Sequence, residues 1–203
     1  TILPFASLIG TNKEIIFASV MPVSDPLTFY YLVDSSLYDS YAEKDLRKTR
    51  FFRASATGYT FKGSYSYSPV VHFTGLALDE VYLTGAECYA RKNDVAAAMK
   101  DLNDLLRTRW QTADGQSSYV DQTAANAEEA LGIILKERRK QLILRNVRWT
   151  DLRRLNLDPR FAVTLKRTIG GQTYILEPGS YRYTFPIPND IVEKTSIQQN
   201  KGW

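Results

Sequence analysis

LALDEVYLTGAECYARKNDVAAAMKDLNDLLRTRW, running from Leu76 to Trp110, is the stretch whose reading decides the fold. Two amphipathic helices meet in it at Lys92-Asn93-Asp94. In the first, Tyr82, Ala86 and Tyr89 recur at i, i+4 and i+7, and Gly85 beside them is a small site where a neighbouring helix can come close. In the second, Val95, Ala98, Met99, Leu102, Leu105 and Leu106 keep a helical period throughout. The tetratricopeptide pattern is a large aromatic, a small residue, a tyrosine, then alanine and a large apolar residue. It falls here on Tyr82, Ala86, Tyr89, Ala98 and Leu102. The spacing predicts a helical hairpin with Tyr82 and Tyr89 packed in its core.

Working outward, residues 1–75 show little helical periodicity. Glu14-Ile15-Ile16-Phe17 reads as a short buried strand, Met21 to Pro26 as an irregular loop, and Phe29 to Tyr41 as a short helix with loop on both sides. Thr57 to Pro69 reads as a connection rich in Gly, Ser and Tyr. Past Trp110, the polar loop Gln111 to Gln122 holds an Asp114-Gly115 turn. Asn126 and Glu129 form a capping box for a third long helix carried by Leu131, Ile134, Leu135, Arg138 and Leu142 and ending near Arg145-Asn146. A short helix over Trp149 to Leu155 follows. Phe161, Val163, Leu165 and Ile169 alternate, Gly170-Gly171 turns the chain, and Tyr174 and Leu176 resume the alternation, so a β-hairpin stands apart from the helices. Tyr181 to Pro188 is extended because each proline disfavours helix in its predecessor, and Asn189 or Asp190 caps a last helical turn. The expectation is one mostly α domain over 1–203: loop-rich over 1–75, helical over 76–155, and a hairpin with an extended tail over 156–203.

Composition narrows the chemistry. The chain has 203 residues, 44% of them hydrophobic, and no apolar run near the roughly 18 residues of a membrane-spanning helix. Its start, Thr1-Ile2-Leu3-Pro4, has neither an initiator methionine nor a charged signal region, so it reads as a mature fragment or the second half of a longer protein. A net charge of +4, with both signs interleaved, leaves no continuous cationic face for nucleic acid. The densest basic run, Lys136, Arg138, Arg139, Lys140, Arg145, Arg148, Arg153 and Arg154, reads as a solvated helix face laced with Glu128, Glu129, Glu137 and Asp151. Glu87, one turn before Arg91, reads as half of an ion pair.

Cys88 is the only cysteine, which excludes an internal disulfide, and its place between Glu87 and Tyr89 suggests a buried structural thiol. His72 is the only histidine, it reads as a packed structural residue, and no serine or cysteine elbow precedes a base. No phosphate-binding or dinucleotide loop is present, and no cofactor, metal ligand or catalytic residue is expected. The one compositional bias is aromatic: thirteen tyrosines, nine phenylalanines and three tryptophans, many of the tyrosines in loop segments. Tyrosine offers an apolar face for stacking and a hydroxyl for hydrogen bonding, which suits sugars, peptides and bases. Trp110 and Trp149 read as core.

An ordered series of blocks over about 40–203 resembles the C-terminal half of the SusD/RagB family of outer-membrane nutrient-binding lipoproteins. The blocks are Tyr41 to Phe52 with its Asp-Leu-Arg step, Glu80 to Arg91, Ala98 to Leu106, Lys136 to Leu142, Arg148 to Arg154, Phe185-Pro-Ile-Pro188, and Gln199 to Trp203. The resemblance implies tetratricopeptide-like helix pairs with long loops and small β elements. It also implies a non-enzymatic protein held by an N-terminal lipid on the outer face of the cell outer membrane, binding oligosaccharides and passing them to a SusC-like TonB-dependent transporter. Peptide binding, as in RagB-like members, and a scaffold that docks the transporter are the alternatives. The lipidated cysteine and the N-terminal helix pairs of the family are absent here, and Lys201-Gly202 stands where members commonly have Pro-Gly. The family's ligand residues sit in variable loops and do not transfer by motif. The matching loop, Val20 to Tyr31, directs the choice of stacking residues to Phe29, Tyr30 and Tyr31, with Tyr65 and Tyr67 second.

Overall fold

The computed structural model describes residues 12–22, 31–66 and 68–203. Phe29, Tyr30 and Tyr67 lie outside the described residues, as does the loop segment 23–26. The chain divides into two compact units, 1–146 and 147–203, and each is taken by itself.

In the first unit the hairpin is the centre. Helices α3 (Leu78–Arg91) and α4 (Val95–Arg107) fold back on each other, and α3 also packs on α5 (Ala127–Gln141). The reversal is built locally. Asn93 takes a left-handed φ of 64°, and the Asp94 carboxylate accepts from the Ala97 N–H at 3.0 Å, capping α4. Gly85 is the close-approach site its position suggested, because a Cβ there would lie 2.9 Å from Asp101 Oδ2 of α4. Leu83, Ala86 and Ala90 of α3 and Ala98, Met99, Leu102, Leu105 and Leu106 of α4 are buried.

The structure corrects the two tyrosines. Tyr82 and Tyr89 are 37% and 41% exposed, because Asp79, Leu83, Ala86, Glu87 and Ala90 form the inward face of α3. The tyrosines, with Leu78, lie roughly a third of a turn around the helix from that face. Cys88 is likewise exposed rather than buried, on the far side of the same helix. Glu87 does pair with Arg91, at 2.8 Å.

The cap at Asn126 forms, its side chain accepting from the Glu129 N–H at 2.9 Å, but Glu129 reaches one residue past the cap and accepts from the Ala125 N–H at 2.7 Å. Helix α5 stops at Gln141, short of the expected Arg145, and the chain turns through left-handed Leu144 (φ 53°) and Asn146 (φ 62°).

The basic run that read as a solvated face is exposed at Lys136, Arg139, Arg153 and Arg154, but three of its members are interior. Arg138, Lys140 and Arg145 are buried, together with Arg47, Arg109, Asp45, Asp79 and Glu137. Arg47, on α2 (Leu46–Phe51), donates to Asp45 and to Glu137, each at 2.7 Å. Lys140 donates to Glu137 at 2.7 Å, and Gln141 links the cluster to Asp79 at 2.9 Å. Arg145 grips Asp79 at 3.1 Å and the Gly75 carbonyl at 3.0 Å, while Arg109 holds Glu14 at 2.6 Å. Buried charge is tolerated only when paired and hydrogen-bonded, and here opposite charges alternate through α2, α3, α5 and the loops between them. Burial works against the Arg47 charge, but Glu137 and Asp45 outweigh it and hold its pKa above the ordinary value. Burial likewise opposes the Glu137 carboxylate, but Arg47 and Lys140 outweigh it and hold its pKa below the usual glutamate range.

The β elements of this unit are two-stranded pairs: β1 (Ile15–Phe17) with β6 (Leu76–Ala77), β2 (Val20–Pro22) with β5 (Val71–Phe73), β3 (Phe52–Ser55) with β4 (Gly58–Phe61), and β7 (Thr112–Ala113) with β8 (Gln116–Ser117). Three expectations change. Strand β1 forms but leaves Ile16 and Phe17 exposed, Val20–Pro22 is a strand rather than loop, and the Gly, Ser and Tyr-rich connection contains β4. The β3–β4 hairpin closes a small aromatic core of Leu37, Tyr41, Phe51, Phe52 and Phe61, with Leu37 on α1 (Ser35–Asp39). The Asp114-Gly115 turn joins β7 to β8 with both residues left-handed, at φ 52° and 77°.

In the second unit, α6 (Arg148–Leu155) precedes the hairpin β9 (Leu165–Ile169) and β10 (Gln172–Leu176). Gly170 and Gly171, at φ 56° and 81°, supply the two-residue turn its sequence predicted, although Phe161 and Val163 fall before the strands. A 3₁₀ turn, Tyr181–Tyr183, and α7 (Asn189–Lys194) complete it, with Pro188 rather than Asn189 or Asp190 at the cap position. Trp149 is half-buried: its indole N–H donates to the Tyr183 carbonyl at 3.1 Å and its ring stacks on Phe185 at 5.6 Å. Among the described residues no helix is long and apolar enough to cross a membrane.

Candidate functional site

Of the five residues put forward from sequence, Tyr31 and Tyr65 are described, and the structure separates them. Tyr65 is 1% exposed, and its hydroxyl donates to Glu14 beneath Arg109. Its ring packs on Phe73 at 5.1 Å. It has no face to offer a ligand, so Tyr65 is corrected to a core residue that carries the ionic layer into the β1–β6 region. Burial, with the nearby Asp79 carboxylate, raises the pKa of its phenol far above the ordinary value.

Tyr31 is 51% exposed and stands at the rim of a cleft of about 240 Å³. The floor is apolar, made of Leu37, Phe61, Ile143 and the Leu32 side chain, and Asp34, His72 and Leu144 complete the wall. Backbone pairing holds the rim: Leu32 bridges antiparallel to Thr60, and the Val33 N–H donates to the Tyr59 carbonyl at 2.8 Å. Asp34 caps α1 by accepting from the Ser36 N–H at 2.9 Å and the Ser36 hydroxyl at 2.7 Å, and it pairs with Arg139 at 2.8 Å. The Ser36 hydroxyl, with Arg139 adding to it, holds the Asp34 carboxyl below the usual range, so it stays ionised.

His72 is 7% exposed, as a packed structural histidine should be. Burial lowers its pKa, which keeps the ring neutral near pH 7, and its Nε2 lies 3.2 Å from the Pro69 carbonyl. That carbonyl can only accept, so the proton sits on Nε2 and Nδ1 is left as an acceptor. Leu144 holds a left-handed backbone that costs a bulky residue about 1–2 kcal/mol, and it does so at the cleft wall.

The arrangement can stack a flat apolar face on Tyr31 and offer a carboxylate at the edge. Its volume is below the roughly 300–1,000 Å³ of drug-sized pockets, room for one ring of a longer ligand. Among the described residues no group of histidines, cysteines and carboxylates is placed to hold a metal ion. Sequence reading did not bring Asp34, His72, Leu144 and the apolar floor together, since four separate segments contribute them and no local pattern marks their meeting.

The class these features define is a helical-hairpin scaffold braced by buried ion pairs, with clefts formed at its loops. The chain belongs to the SusD family, whose model matches residues 76–203, more than half of its length. By sequence, no curated protein matches significantly. By structure it is similar to a SusD-like protein from Bacteroides fragilis, with TM-score 0.59, 18% identity, and 96% of this chain and 55% of that one covered. It is also similar to a SusD-like carbohydrate binding protein from Bacteroides vulgatus, with TM-score 0.55, 18% identity, and 88% and 47% covered. A SusD superfamily protein from Bacteroides fragilis matches at TM-score 0.59 and 19% identity, with 83% and 40% covered. The chain therefore spans about half the length of these solved relatives, and at such identities the likeness establishes the fold.

Proposed function

We propose that this protein binds oligosaccharide nutrients at the cell surface without altering them and passes them to a SusC-like TonB-dependent transporter. The observation that carries the reading is Tyr31, a half-exposed aromatic ring at the mouth of an apolar cleft, in a chain of the SusD family. A pyranose presents an apolar face to such a ring and hydroxyls to a carboxylate such as Asp34. The reading assigns no bond-making step to any residue. Phe29 and Tyr30, adjoining Tyr31 in sequence, extend the stacking surface in this proposal, and Tyr67 is a further candidate. Lipid anchoring on the outer face of the outer membrane belongs to the same proposal, as does the transporter partner. A SusD-like relative described as a carbohydrate binding protein supports the ligand class.

Calorimetry with maltoheptaose, xylohexaose and mannohexaose against a set of hexapeptides tests it. Tyr31→Ala is expected to weaken the best glycan roughly 5- to 10-fold, the worth of one aromatic stacking contact. Tighter binding of the peptides, or an affinity that Tyr31→Ala leaves unchanged, would defeat the assignment.

A further inference from the structure

The second unit carries a cleft of its own, of about 470 Å³, between α6 and the 3₁₀ turn. Its polar lining includes Thr150, Arg153, Asn156, Ser180, Tyr183 and Thr184, and no acidic side chain is among the lining residues. Among the described residues, two of these groups hold buried polar atoms without a hydrogen-bond partner, and a third is an exposed guanidinium that forms no ion pair. Tyr183 is only 5% exposed, yet its hydroxyl has no hydrogen-bond partner. Asn156 uses its Oδ1 to accept from the Val163 N–H at 3.0 Å, while its Nδ2 is buried without a partner. Arg153 makes no ion pair or hydrogen bond among the described residues, whereas its neighbour Arg154 is held by Asp151 at 2.9 Å.

A buried donor without an acceptor is costly, and proteins rarely retain one without a use. Here two such donors line the same concavity as an uncommitted guanidinium. The local structure keeps them there. Trp149 pins the Tyr183 backbone through its indole N–H at 3.1 Å and packs on the Tyr183 ring at 4.9 Å, so the phenol cannot swing out to water without breaking that contact. The Asn156 Nδ2 and the Arg153 guanidinium can only donate and the Tyr183 hydroxyl can donate as well, so the partner that fits is rich in acceptors, and the guanidinium favours one that is negatively charged.

We propose that this cleft is a binding site for a carboxylate-bearing ligand, with Arg153 as the charge partner and Asn156 and Tyr183 as the donors that orient it. The carbonyl end of α6 works against an anion, and a guanidinium paired with a carboxylate outweighs it because that pair is charge-assisted and two-pronged. The hydroxyls of Ser180 and Thr184 suit a ligand whose carboxylate is flanked by hydroxyls. The proposal is independent of the Tyr31 cleft, which lies in the other unit.

Heteronuclear NMR titration with galacturonate, with galactose as its neutral isostere and acetate as a carboxylate without the sugar, tests it. Galacturonate is expected to shift resonances of residues 150–157 and 179–184 saturably, and galactose is not. Acetate binding as tightly would assign the site to carboxylates in general, and weaker acetate binding to sugar acids; either supports it. Arg153→Gln, at an exposed position that leaves the fold alone, is expected to weaken galacturonate roughly tenfold or more. Tyr183→Phe keeps the ring and removes only the hydroxyl, and it too should lose affinity. Equal binding of galactose, or galacturonate affinity unmoved by Arg153→Gln and Tyr183→Phe, would overturn the proposal. Tyr31→Ala serves as the control that must leave this titration unchanged.

Discussion

Removing Glu137 should be the most damaging single truncation in the ionic layer of the first unit. The carboxylate accepts from Arg47 at 2.7 Å through one oxygen and from Lys140 at 2.7 Å through the other. The Arg47 and Lys140 side chains are only 1% and 8% exposed, so water cannot take its place. Each charge-assisted bond is worth about 1.5–3 kcal/mol net, and loss of one member of a buried pair typically costs about 3–5 kcal/mol. Arg47 keeps Asp45, and Lys140 keeps Asp45 at 3.7 Å and the Tyr41 ring at 5.1 Å, which holds the expectation for Glu137→Ala near that range rather than above it. Asp121→Ala is the internal comparison. It breaks a pair on the same scaffold, but Arg107 and Asp121 are 45% and 47% exposed, and such pairs contribute only about 0.2–1 kcal/mol. Urea unfolding followed by far-ultraviolet circular dichroism reports chiefly on α3, α4 and α5, which make up most of the helix. A loss under about 1 kcal/mol for Glu137→Ala, or equal losses for the two variants, would refute the view that this layer is a dry, mutually dependent network.

Acid should unfold the protein through the same layer. Glu137 and Glu14 both have pKa values held below the ordinary 4.5, in each case against burial, by Arg47 and Lys140 for the first and by Arg109 for the second. A depressed carboxylate contributes stability that is present above its unfolded pKa and lost as pH falls through the folded one. Urea midpoints should therefore hold near neutral pH and drop below about pH 4.5, with a shallower acid limb for Glu137→Gln; identical limbs would contradict the assignment. Gly75→Ala should be severe, because its Cβ would sit 2.0 Å from the Phe17 carbonyl oxygen and 2.7 Å from the Ser19 nitrogen, both backbone atoms. The expected cost is about 3 kcal/mol or more, with faster amide exchange at Ser19 and Thr74; a stability within 1 kcal/mol of the parent would show that the strands shift freely.

Where sequence reading succeeded, the signal was local. The reversal at Asn93-Asp94, the cap at Asn126, the glycine turn at Gly170-Gly171 and the small site at Gly85 all depend on residues a few positions apart. Their backbone chemistry admits few alternatives. Where it failed, the deciding partner was distant. Tyr82 and Tyr89 keep helical spacing, but spacing does not say which of two adjacent faces turns inward, and the buried Asp79 and Glu87 took the face that the tyrosines were expected to fill. The candidate site divides the same way: aromatic richness pointed to Tyr31 and Tyr65 alike, and only tertiary burial distinguished a rim residue from a core residue.

The charged residues draw the boundary most sharply. By itself the sequence determined the helical hairpin, the order of family blocks and the turns, because these follow from periodicity and from local conformational limits. Tertiary structure alone decided that Arg138, Lys140 and Arg145 lie inside, since a charge can be buried only where a distant opposite charge meets it. The distant partners are Glu80 for Arg138, Asp45 for Lys140 beside its helix neighbour Glu137, and Asp79 for Arg145, the last of these 66 residues away along the chain.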